Sequence, residues 1–97
     1  MIAALTGGCA FVPQPNHRLD EVRIAYAEVM GDAYIQAMAP LETQVASQGY
    51  DDAVRAWSTL QDPAEVDHLA YVARQRLAIA REAARRATLR AIPSATQ

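Results

Sequence analysis

Asp62-Pro63-Ala64-Glu65-Val66-Asp67-His68-Leu69-Ala70-Tyr71 is the stretch on which the fold turns. Asp62 can accept from the exposed N–H groups of a first helical turn, Pro63 is preset for the first helical position, and Glu65 completes a capping box. From Val66 the apolar residues Leu69, Ala73, Leu77, Ala80, Ala84, Ala87 and Ala91 follow at three- and four-residue steps, close to a heptad pattern. Pro93 stops the run. A helix from Pro63 to Ile92 is therefore expected, about 45 Å long at 1.5 Å per residue.

Upstream, Pro40 suits the first turn of another helix. Leu41, Val45, Ala53, Ala56, Trp57 and Leu60 form its expected inner arc, giving a helix from Pro40 to Leu60 of about 31 Å. Gly49 allows two readings here. It is either tolerated within one continuous helix, the expected outcome, or it ends a short helix and lets Asp51 cap the next. Further upstream, Leu19, Val22, Tyr26, Val29, Ala33 and Ala37 share one helical face between Asn16 and Ala39. Gly31-Asp32 interrupts that face chemically but not in period, and the helix is expected to run through it at a cost of about 1 kcal/mol for the Gly. The short connections predict an all-α, three-helix up-down-up bundle with a long, overhanging third helix.

Composition sets further bounds. The chain has 97 residues and a net charge of −2, which argues against a general nucleic-acid binder held by phosphate contacts. No apolar run reaches the eighteen or so residues that a membrane-spanning helix requires, so membrane association has to come through a lipid or a partner. The expected organisation is a truncated lipoprotein-type leader and tether over residues 1–15, a helical domain over 16–92 and a tail over 93–97. Phe11-Val12-Pro13-Gln14-Pro15 reads as an extended linker, because each Pro disfavours helix at the residue before it.

Cys9 is the only cysteine, so an internal disulfide is excluded. It follows the small residues Thr6-Gly7-Gly8, which suit a peptidase that reads an extended backbone. The segment resembles the end of a bacterial lipoprotein signal peptide, which implies lipidation at Cys9. Such a signal carries a basic start and a longer apolar stretch, both missing or cut short here, and an in-frame extension upstream of Met1 that supplies them would nearly settle the targeting. Among lipoproteins of this kind, Ala10 rather than Asp after the Cys implies the outer membrane, facing the periplasm.

Charge is unevenly distributed. Nearly all acidic residues lie between Asp20 and Asp67, whereas Arg74, Arg76, Arg81, Arg85, Arg86 and Arg90 are opposed only by Glu82. Arg74, Arg81 and Arg85 fall opposite the Ala seam. They read either as a solvated face that complements the helix dipole or as a partner-binding surface for an envelope protein or an acidic cell-wall polymer. Because only alanines occupy the late seam, the far end of the last helix is weakly held unless something packs on it.

Catalytic and metal chemistry finds little footing. Asp20-Glu21 and Asp51-Asp52 are sequence neighbours and do not converge as an acid/base dyad. Cys9, His17 and His68 lack zinc-ligand spacing. Gly7-Gly8 lacks the context of a phosphate loop. His68 reads as a helix-start hydrogen-bonding residue, and Tyr26, Tyr50, Trp57 and Tyr71 as core or core-edge aromatics. No catalytic residue, metal or other cofactor is expected, and the oligomeric state is left open.

Ala39-Pro40-Leu41-Glu42, Trp57, the stretch from Asp62 to Tyr71 and Ala78-Ile79-Ala80-Arg81-Glu82, in that order and spacing, resemble the helical domain of unknown function DUF4398. The resemblance covers roughly His17 to Ala91, and the Asp62–Tyr71 stretch is its most specific part. It implies an α-helical periplasmic lipoprotein domain, consistent with the reading of Cys9. In envelope lipoproteins this domain often precedes an OmpA-like peptidoglycan-binding domain. No such segment is read between Ala91 and Gln97, so peptidoglycan binding is not carried over. The expected role is that of a non-catalytic structural or adaptor module of the cell envelope. The alternative is a helical binding module that uses the Arg-rich third helix.

Overall fold

Asp32, rather than Gly31, decides how the first third of the chain folds. In the computed structural model, which describes residues 15–59 and 61–91, the Asp32 carboxylate accepts from the N–H groups of Tyr34 and Ile35 at 3.0 and 3.3 Å. The Asp32 backbone is extended, at φ −106° and ψ 98°. An Asp side chain that captures backbone donors competes with the helical ladder, and here it starts a new helix. The expected single helix is therefore two: α1 (His17–Met30) and α2 (Ala33–Met38). Ala33 and Ala37, placed on the inner face by an uninterrupted period, are exposed because the break resets the helical phase.

Two longer helices follow, α3 (Pro40–Ser58) and α4 (Pro63–Ala91). The described residues are thus helical, with four helices in place of the expected three. α3 is continuous through Gly49. It begins at Pro40, whose missing N–H costs nothing in a first turn, and ends at Ser58, short of Leu60, which lies outside the described residues. α4 begins as expected: the Asp62 carboxylate accepts from the Ala64 N–H at 2.9 Å, and the Asp62 carbonyl accepts from Glu65 and Val66.

Chain direction follows from the cross-helix contacts. Asn16 meets Asp67, Glu21 meets Arg74 and Glu28 meets Arg81. The near-constant offset means that α1 and α4 run in the same sense. Arg23 and Tyr26 of α1 meet Tyr50 and Ser47 of α3 in descending order, so these two helices are antiparallel.

The α3–α4 contact is built from small side chains. On α3 the buried residues are Thr43, Ala46, Gly49, Ala53 and Ala56, and on α4 they are Val66, Ala70, Ala73, Leu77, Ala80 and Ala84. A β-carbon added at Gly49 would lie 3.6 Å from the Ala73 Cα, so the backbones approach closely there. This corrects the expected inner arc of the middle helix. Leu41 and Val45 are 73% and 45% exposed, because the small residues, not the large ones, form the stripe that continues for the whole helix. Ala53 and Ala56 are buried as expected, and Trp57 is half-buried. On α4, Ala70 joins the core while Leu69 is only half-buried.

α1 contributes larger side chains, with Leu19, Val22 and Val29 all essentially inaccessible to water. α4 has 29 residues against 19 in α3, a difference of about 15 Å in length. α2 packs against both α3 and α4. Full burial on α4 ends at Ala84; Ala87 and Thr88 are half-buried, and Leu89, Arg90 and Ala91 are exposed. No described helix is long and apolar enough to cross a membrane.

Candidate functional site

The starts of α1 and α4 are tied together by one side chain. The Leu19 N–H donates to the Asn16 Oδ1 at 2.9 Å, which caps α1, while the Asn16 Nδ2 donates to the Asp67 Oδ1 at 3.0 Å. Arg18 adds a longer ion pair to the same carboxylate group at 3.9 Å. The N-terminal end of the body is thereby held beside the α3–α4 connection.

Arg74 and Arg81, two of the residues read as candidate partner contacts, occupy the flank of α4 that faces α1. Arg74 reaches Glu21 at 3.5 Å and Arg81 reaches Glu28 at 2.7 Å. Seven residues separate the two arginines and seven separate the two glutamates, so parallel helices bring both pairs into register as rungs. All four side chains are about half exposed, which limits each rung to at most about 1 kcal/mol. Arg85 is engaged within its own helix: it and Arg86 converge on Glu82. Hydrogen bonds from Arg85 and then Arg86 hold the Glu82 carboxyl down at about 2, against an ordinary value of 4.5, and the same contact raises Arg85. A partner acting through these three arginines has to compete with carboxylates already in place.

A second polar cluster lies between α1 and α3. Tyr26 and Tyr50 stack with ring centroids 4.0 Å apart, Arg23 donates to the Tyr50 hydroxyl at 3.3 Å, and the Arg23 guanidinium sits 5.9 Å from the centre of the Trp57 ring. These three aromatics lie at the core edge, as expected. Tyr71 does not: it is 54% exposed, because it sits on α4 next to the buried Ala70 but rotated out of the seam. His17 faces Glu21 at 3.4 Å across one exposed turn, and His68 is exposed. Among the described residues, no three His, Asp or Glu side chains gather as a metal site. Cys9 lies outside the described residues.

Sequence reasoning missed the groove on the other flank of the α3–α4 hairpin. Leu41, Glu42, Val45, Arg76 and Ile79 line it, and Ile79 is 55% exposed. The signal was present in the spacing, since the larger apolar stripe on α3 meets Gln48 and Asp52 after Val45 and cannot continue as a core face.

No curated protein and no solved structure matches the chain. The family model described as Domain of unknown function (DUF4398) matches residues 17–93, a span that takes in all four helices. The chain therefore belongs to the DUF4398 family.

Proposed function

We propose that this chain is a non-catalytic structural or adaptor module of the bacterial envelope, held by a lipid on Cys9 at the periplasmic face of the outer membrane. In this reading α1 and α2 together form the first arm of an up-down-up bundle. The tether and the α3–α4 connection then sit at the membrane-facing end, and the last turns of α4 point away from it.

The observation that carries the reading is the Asn16–Asp67 hydrogen bond together with the two rungs above it. They join the helix that follows the leader to the longest helix of the molecule along a parallel contact. A pull or a positional constraint at residue 15 is thus passed to α4 directly, as a spacer or adaptor requires. Six residues, Ala10 to Pro15, separate Cys9 from this fixed point. The seven steps from Cys9 to Asn16 can span at most about 25 Å, which would keep the helical body close to the bilayer.

Metabolic labelling with a fatty acid in the native host tests the anchor, comparing the wild-type full-length gene with Cys9→Ala. Label in the wild type and none in the variant is the expected result. Equal absence of label in both removes the anchoring claim.

A further inference from the structure

The groove beside Leu41 has features that an accidental apolar patch lacks. By the 100° turn per residue, α4 shows Asp67, Arg74 and Arg81 to α1, whereas Arg76 and Ile79 fall on the opposite flank. On α3, Tyr50 and Ser47 meet α1, while Leu41 and Val45 fall on the far side of the buried seam. The face is therefore shared by α3 and α4 alone. It continues into a second depression lined by Glu42, Ile79, Glu82, Ala83, Arg86 and Arg90.

The ionic groups on this face identify its occupant. Among the described residues, Arg18, Arg23, Arg55, Arg74, Arg81, Arg85 and Arg86 each have a carboxylate within 4.0 Å. Among the same described residues, Arg76 and Arg90 have none, and Glu42 has no cationic partner. These three groups, of both signs, border the same apolar strip. A strongly acidic partner would satisfy the arginines and repel Glu42, and a basic one would do the reverse. An identical face related by a two-fold axis satisfies both signs at once, since each Glu42 then faces the arginines of the other copy.

Size is compatible with this. The overlapped part of the hairpin is about 28 Å long and two helices, about 20 Å, wide, or roughly 560 Å² of footprint per copy. Both copies together give about 1,100 Å², at the lower edge of specific interfaces.

We infer that two copies of this chain associate through the Leu41–Val45–Ile79 face, placing two α3–α4 hairpins against each other in a weak, reversible dimer. The inference does not depend on the lipid anchor.

Sedimentation equilibrium of the full chain under reducing conditions, which prevent a Cys9–Cys9 disulfide, provides the test. The mass should rise with concentration from one chain to two and stop there. Changing the exposed Leu41→Asp and Ile79→Asp together should weaken association at least about tenfold, equivalent to 1.4 kcal/mol, with the helical circular dichroism unchanged. Charge reversal gives a sharper check. Glu42→Arg alone and the pair Arg76→Glu and Arg90→Glu alone should each be monomeric, and an equal mixture of the two variants should form a heterodimer. A chain that stays monomeric at every concentration overturns the inference. So does self-association that is indifferent to the Leu41 and Ile79 changes, or a variant mixture that fails to pair.

Discussion

α4 meets two neighbours by opposite means. Against α1 it meets the larger Leu19, Val22 and Val29 side chains, flanked by the Glu21–Arg74 and Glu28–Arg81 rungs. Against α3 it uses alanines facing Ala46, Gly49, Ala53 and Ala56, with backbones near contact at Gly49 and Ala73. Among the described residues, eight of the thirteen buried apolar ones are Ala, so most core positions yield little transfer free energy per side chain, and the α3–α4 contact depends on closeness rather than bulk. A large-residue contact is damaged by removing atoms, and a small-residue contact by adding them.

Leu19→Ala should produce the largest loss, about 2–5 kcal/mol in urea unfolding, because it deletes one of the few large core side chains and leaves a cavity. Ala73→Leu should come next, at about 1–3 kcal/mol, since the seam has no room for three extra carbons without separating the helices. The contrast fails if Ala73→Leu leaves stability unchanged or raises it, or if Leu19→Ala costs no more than Ala73→Leu. Gly49→Ala should be favourable by about 0.5–1 kcal/mol. It removes the helix penalty of Gly, and the added β-carbon meets the Arg76 side chain at 3.3 Å, a flexible group that can shift.

Ionic contributions come last. A double-mutant cycle on Arg81 and Glu28 should give a coupling below about 1 kcal/mol that declines as salt is added. Glu82 supplies the pH dependence. Its folded value of about 2 lies below its ordinary 4.5, so its contribution is complete above about pH 5 and disappears as the pH falls towards 2. A slight loss of thermal stability over that interval in the wild type, absent in Glu82→Gln, is the outcome to check by differential scanning calorimetry.

The start of α4 at Asp62 and Pro63 was legible, because these two residues act through local backbone chemistry and need no neighbour. Continuity through Gly49 was also foreseen, although the closeness of the two helices at Gly49 and Ala73 belongs to the packed pair. The break before α2 was readable in principle. Asp32 is a capping residue, and the Gly beside it drew attention to helix propensity when the decisive effect was a side-chain acceptor for the Tyr34 and Ile35 N–H groups in the first turn of α2. The inner face of α3 was misread because size was taken as the guide to burial. Leu41 and Val45 are larger than Thr43 and Ala46, yet the closer helix pair buries the smaller stripe. That same misreading concealed the exposed groove, which exists only because Leu41 and Val45 are left outside.

By itself, the amino-acid sequence determined the helical class, the cap at Asp62, the length of α4 and the segregation of arginine into it, all of which follow from contacts within a turn or two of chain. Only the tertiary structure decided which stripe of α3 is internal, which arginines find carboxylates, and which are left free beside Leu41. Those outcomes depend on how near and in what direction two helices lie, and a one-dimensional period carries neither quantity.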